Sequence, residues 1–189
     1  MIGSPNDPDP GDTAPPGPVP VAIALGSNLG DRAAYLAAGV TALSSVIDIA
    51  AVSSVYASEP VGYRDQPEFL NAVLVGTSRL APRALLRAAL AAEVAAGRAR
   101  TRPEGPRTLD VDLILYGGLI VRAPDLIVPH PRWRERGFVL APLAEVAAEW
   151  VDPETGLTVA VMAAGARARA GHATPVARPE TIANPRRSP

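Results

Sequence analysis

The chain contains no cysteine and no lysine. Without cysteine there is no disulfide framework, thiol nucleophile, iron–sulfur site or cysteine zinc site. Without lysine, all 18 basic residues are arginine, which excludes a Schiff-base amine and the lysine of a Walker phosphate loop. Histidine occurs only twice, too seldom for most histidine-rich metal centres, so a metal here needs oxygen ligands. A basic excess is lacking too. The net charge of -1 argues against a nucleic-acid binder that neutralises many phosphates, and any phosphate should be bound locally. No apolar run reaches the roughly 18 residues of a membrane span. The opening "MIGSPNDPDPGDTAPPGPVP" lacks the basic start and apolar core of a secretory signal, so a cytoplasmic protein is expected.

What is present is ordinary globular material: 189 residues, 48% hydrophobic and 20% charged, enough for one sizeable core. Dense proline marks residues 1–18 as a disordered leader. The stretch 166–189 reads as a disordered tail, leaving one folded domain over 19–165. Within it, Val19 to Leu25 predicts a strand stopped by Gly26, Ser27 and Asn28. A helix capped by Asp31 follows, with Leu36, Val40 and Leu43 on one stripe. Ile49, Val52 and Val55 predict a second strand ending before Pro60. In "FLNAVLVGTS", Phe69, Asn71, Val73 and Val75 share one face, and Leu70, Ala72 and Leu74 the other. Pro82 opens an Ala- and Leu-rich helix that Gly97 ends. "TLDVDLILYGG" predicts a fourth strand with Leu109, Val111, Leu113 and Leu115 toward the core. A short strand pair in "LIVRAPDLIVPHP" and a helix in "GFVLAPLAEVAAEW" complete the pattern. The expectation is an α+β fold with a ferredoxin-like βαββαβ core, an antiparallel sheet flanked by helices, and C-terminal additions.

On a strand, residues two apart share a face with Cα atoms about 6.6 Å apart, so Asp110 and Asp112 project together. Unpaired buried carboxylates are costly, which predicts a cation between them, arginine or a divalent metal such as Mg²⁺. Taken alone, D-x-D more often describes a solvated face with two salt bridges. Arg98, Arg100, Arg102 and Arg107 precede the pair in a Pro- and Gly-containing loop, suited to grip phosphate oxygens bidentately or simply to stand in solvent. "VPHPRWRERGF" adds His130, a phosphate donor or a turn residue, and Arg136; Arg132 and Arg134 read as solvated. Asn71 offers an amide to read a heterocycle edge, and Phe69 on the same face a ring to stack on. "GSNLGD" lacks the Walker pattern and the dinucleotide fingerprint, and reads mainly as a turn and helix start.

The segments "GSNLGDR", "EPVGYRDQPEFLNAV", "GRART", "GPRTLDVDLILYG" and "VPHPRWRERGF" occur in the order found in the 6-hydroxymethyl-7,8-dihydropterin pyrophosphokinase family, which the chain resembles over roughly residues 20–160. The resemblance implies a Mg-dependent diphosphotransferase of folate biosynthesis that moves pyrophosphate from ATP to the pterin hydroxymethyl oxygen and releases AMP. It implies two Mg²⁺ ions on Asp110 and Asp112, and Arg98 and Arg107 on the ATP phosphates. Further nucleotide contacts fall to Glu93, Arg100, His130 and Arg136. Phe69 and Phe138 would sandwich the pterin, Asn71 would read its edge, and groups near Ser58, Val61 and Gly62 would complete the pocket. The expected partners are these two small molecules, with no nucleic acid, no membrane and a monomeric state. This chain departs from some members in carrying Glu104 for a tryptophan and Pro131 for a tyrosine. Two other readings remain at this point: another Mg²⁺-dependent nucleotidyl or phosphoryl transferase, and a ligand-binding module without catalysis. Because Arg107 has the wrong strand parity to join the two aspartates, the regular strand should begin after it.

Overall fold

Val19–Ser27 (β1) pairs on both sides and therefore lies inside the sheet. Its Val21, Ile23 and Leu25 enter one apolar cluster, while the small Ala22 and Ala24 serve the opposite face. The computed structural model describes residues 9–98, 105–169 and 174–175. Arg32–Leu43 (α1) follows, its first turn capped by the Asp31 carboxylate, which accepts the Ala34 N–H at 3.0 Å. Asp48–Val52 (β2) and Tyr56–Ser58 (β3) lead into Phe69–Ser78 (β4), and Pro82–Ala95 (α2) into Asp110–Tyr116 (β5). The regular part of β5 thus begins after Arg107, as its parity requires.

The main sheet runs β5-β1-β4-β3-β8, with β2 also on β4 and Thr174–Pro175 as β8, and every pair is antiparallel. Val121–Ala123 (β6) and Leu126–Val128 (β7) form a separate hairpin. Helices α1 and α2 cover one sheet face over Leu25, Leu74 and Leu109, with Leu85 of α2 packed into the same cluster. Gly137–Ala147 (α3) and Val159–Arg169 (α4) cover half of the other, over Val73, Val75, Ile114 and the fully buried Trp133. The uncovered half of that face carries the site. The chain is α+β, and among the described residues no helix is long and apolar enough to cross a membrane.

Four expectations are corrected. The second strand is broken into β2 and β3, because Ser53 exchanges backbone and side-chain hydrogen bonds with Val73 at 2.9 Å and bends the chain there. Leu115 does not face α1 and α2. Ile114 is an extra, unpaired residue between Leu113 and Leu115 in the ladder with β1, and this bulge turns Leu115 into the α3 cluster. Residues 9–18 of the leader include a turn docked on α2: Arg83 pairs with Asp9 and Asp12, and its N–H donates to the Gly11 carbonyl. The expected tail likewise holds structure, since α4 continues to Arg169 and Thr174–Pro175 pairs with β3.

Candidate active site

Asp110 and Asp112 leave β5 on the open half of the sheet face, while Leu109, Val111 and Leu113 pin the strand to the α1–α2 core. Asp110 lies between two guanidiniums, Arg98 at 2.6 Å and Arg107 at 3.1 Å. Asp112 pairs with Arg136 at 3.0 Å, and His130 Nε2 stands 3.7 Å away. The like charges are thus neighbours because four cationic or donor groups from three separate segments converge on them.

Each of those groups has a local reason for its place. Arg98 follows the end of α2 and also pairs with Glu93, whose Oε1 accepts the Val111 N–H at 2.8 Å. Glu93, only 4% exposed, therefore braces the edge strand β5 from behind and does not line the cleft. Arg107 is held by its backbone, whose N–H donates to Asn28 Oδ1 and whose carbonyl accepts the Asn28 N–H. The "GSNLGD" turn thereby does more than start a helix, for Asn28 also donates to Gln66 and to the Pro67 carbonyl and joins two loops at the cleft rim. His130 is set by the bulge, because its N–H donates to the Ile114 carbonyl at 3.0 Å. Its Nδ1 accepts the Arg132 N–H, so the proton of the neutral ring sits on Nε2, toward Asp112. Burial pushes the imidazole below its usual pKa; Asp112 pulls the other way, and Arg136 and Arg132 add to the depression.

Beside the carboxylates, the face continues across β1 into β4. Asn71 Nδ2 donates to the Tyr56 carbonyl at 3.2 Å and to Ser58 Oγ at 2.9 Å, which fixes the amide. Phe69 and Phe138 both line the same cleft, of about 280 Å³, together with Asp110, Asp112, Arg107, His130 and Arg136. Arg107 lies over the Phe69 ring at 5.1 Å and Arg136 over Phe138 at 5.6 Å. Ser58 lines the wall, and Val61, 59% exposed, stands at the mouth. Gly62 lies in the adjoining loop with φ +82° and does not line the cleft. Arg100, Arg102 and Glu104 lie outside the described residues.

One reading from the sequence is corrected here. Arg132 is exposed, as expected, and also lines the cleft. Arg134 is not solvated, for it grips the fully buried Asp152 through two hydrogen bonds of 2.6 Å and pairs with Glu154. The lining residues Gly26, Ala24 and Glu59 were missed, since nothing local in their segments marks them.

A face that joins paired carboxylates and arginines to two aromatic rings and a fixed amide defines an enzyme of phosphoryl-transfer type. The profile described as 7,8-dihydro-6-hydroxymethylpterin-pyrophosphokinase matches residues 22–148, and the chain belongs to that family. It is 46% identical over 126 residues to the 2-amino-4-hydroxy-6-hydroxymethyldihydropteridine pyrophosphokinase of Bacillus subtilis, covering 66% of this chain and 75% of that one. The Pseudomonas aeruginosa protein of the same name is 42% identical over 136 residues, covering 71% and 84%. The folic acid synthesis protein fol1 of Pneumocystis carinii is 40% identical over 141 residues, 74% of this chain but only 19% of that longer one. Among solved structures, wild-type HPPK-DHPS of Plasmodium falciparum with SDX-DHP superposes with a TM-score of 0.67 at 11% identity. That overlap covers 81% of this chain and 45% of the other, and it bears on the fold alone. The chain is an enzyme of the pyrophosphokinase class.

Proposed function

We propose that this chain transfers pyrophosphate from ATP to the hydroxymethyl oxygen of 6-hydroxymethyl-7,8-dihydropterin, giving AMP and the pterin diphosphate in folate biosynthesis. Family membership supports the reaction. The observation that carries the assignment of residues is that Asp110 and Asp112 share one cleft with Phe69, Asn71 and Phe138. Phosphate chemistry and heterocycle recognition are thereby side by side. The sheet order, with β5 and β1 adjacent and β4 between β1 and β3, is read as the ferredoxin-like core expected from the element order.

The carboxylate pair fits Mg²⁺. Among the described residues no cluster of three or more histidine or acidic ligands forms, but Mg²⁺ needs only one or two carboxylates, the rest being water and substrate phosphates. The guanidiniums now paired with Asp110 and Asp112 mark where positive charge is wanted. Asp110 and Asp112 would hold two such ions, which would offset the charge of the bridging phosphates. Arg98, Arg107 and Arg136 supply forked donors to the same oxygens, with His130 Nε2–H as a further donor. Arg100 and Glu93 complete the proposed nucleotide set, Glu93 through its brace on Arg98 and β5.

Phe69 and Phe138 stack the pterin and Asn71 orients it, so that the hydroxymethyl oxygen faces the β-phosphorus. A ring taking those faces displaces the guanidiniums of Arg107 and Arg136 that lie there and turns them toward the phosphates. No side chain is needed as an obligatory general base. The proposed setting is a monomer in the cytoplasm. Phosphorus NMR of a reaction with ATP and the pterin tests the reading: AMP and pterin diphosphate should appear in equal amounts. Release of ADP or of free pyrophosphate instead would refute it.

A further inference from the structure

We infer that Gly26 is a specificity-determining residue, the gap in β1 over which the acceptor passes from the aromatic slot to the carboxylate side. The inference rests on the reading of the cleft proposed above. In the antiparallel ladders Gly26 is paired with Asn71 on β4 and with Asp110 on β5. One row of the sheet face therefore reads Asp110, Gly26, Asn71. At an inter-strand spacing of about 4.8 Å, the two outer Cα atoms stand about 10 Å apart. An acceptor whose ring is read by Asn71 and whose oxygen must reach phosphate held beside Asp110 has to lie across Gly26.

The space above Gly26 is open to such a ligand but closely bordered. A Cβ built there would lie 3.4 Å from Asn71 Oδ1, 3.7 Å from the Phe69 ring and 3.8 Å from the Asp110 Cβ. Those are ordinary contacts, so a methyl group fits the folded protein. The backbone does not demand glycine either, because φ at Gly26 is not positive. Neither packing nor backbone strain explains the residue, and what an added methyl would occupy is the floor of the slot. It would lift a stacked heterocycle off the sheet and away from the Asn71 amide, while leaving the arginine side of the cleft untouched.

The test compares full-length wild type, Gly26→Ala and Gly26→Val in steady-state AMP formation, with ATP and 6-hydroxymethyl-7,8-dihydropterin varied separately and urea midpoints recorded. One misplaced methyl in a ring pocket is worth roughly 10- to 200-fold. The expected result is a pterin KM raised by that order in Gly26→Ala and further in Gly26→Val, with the ATP KM within about twofold and the Gly26→Ala midpoint not lowered. A pterin KM in Gly26→Ala equal to that of wild type overturns the inference alone. So does a parallel rise in both KM values. A wild type that forms no AMP removes the proposed function and this inference with it.

Discussion

Two carboxylates on one strand face repel each other, and Asp110 and Asp112 are tolerable only because Arg98, Arg107 and Arg136 stand at 2.6 to 3.1 Å. That requirement was legible in D-x-D together with the surrounding arginines. Asn71 was legible as an amide on the same face as Phe69, and its contacts define a prediction. Asn71→Ala removes the amide proposed to read the heterocycle edge and leaves the Tyr56 carbonyl without this donor. The pterin KM should rise on the order of 10²-fold, the loss typical when a polar recognition group is deleted. The ATP KM, measured in the same assay, should stay nearly constant. Gly26 was not legible, because a glycine's value here lies in what stands beside it on β4 and β5, and strand register is a non-local property.

At the scale of elements, strand parity predicted β4 and the faces of its residues, and proline and glycine marked the limits of α2. Parity failed at Leu115, where the Ile114 bulge depends on pairing with β1 that no local pattern announces. That same bulge places His130, so the missed irregularity is part of the site. Helix α3 carries a second feature hidden from sequence. Glu145 accepts the Ser54 N–H and hydroxyl and the Tyr56 hydroxyl, tying β3 to the helix that bears Phe138. Because residues seven apart share a helix face, Glu145 joins the two walls of the aromatic slot. Glu145→Ala should cost about 2 kcal/mol in urea unfolding and raise the pterin KM more than the ATP KM, whereas Glu145→Gln recovers most of both.

The clasp between the 3-10 turn at Trp133–Glu135 and the segment after α3 supplies a pH test. Burial pushes the Asp152 carboxyl up, but hydrogen bonds from Arg134, Thr155 and the Glu154 N–H outweigh it and hold the carboxyl below its ordinary pKa. A carboxyl depressed in the folded state stabilises above its unfolded pKa and loses that contribution as pH falls through the folded value. The difference in thermal midpoint between wild type and Asp152→Asn should therefore be full near neutrality and shrink below about pH 4.

For the whole molecule, composition was informative chiefly through its absences: without lysine or a basic excess, any phosphate was expected on local arginines, and the structure brings Arg107, Arg132 and Arg136 to one cleft and Arg98 onto Asp110. The leader was misread between residues 9 and 18 because Arg83, distant in sequence, draws Asp9 and Asp12 onto α2. Arg83→Ala should accordingly speed proteolytic cleavage within that stretch, followed by mass spectrometry, while leaving AMP formation unchanged. The proposed reaction needs both the pterin and a divalent cation on the Asp110–Asp112 face. Its most direct test is AMP release from ATP by wild type and Asp112→Asn, with and without the pterin, in Mg²⁺ and after EDTA. AMP should form only with pterin and Mg²⁺ together, and fall on the order of 10²-fold or more in the variant. AMP formed at an undiminished rate without pterin, after EDTA or by Asp112→Asn would contradict it.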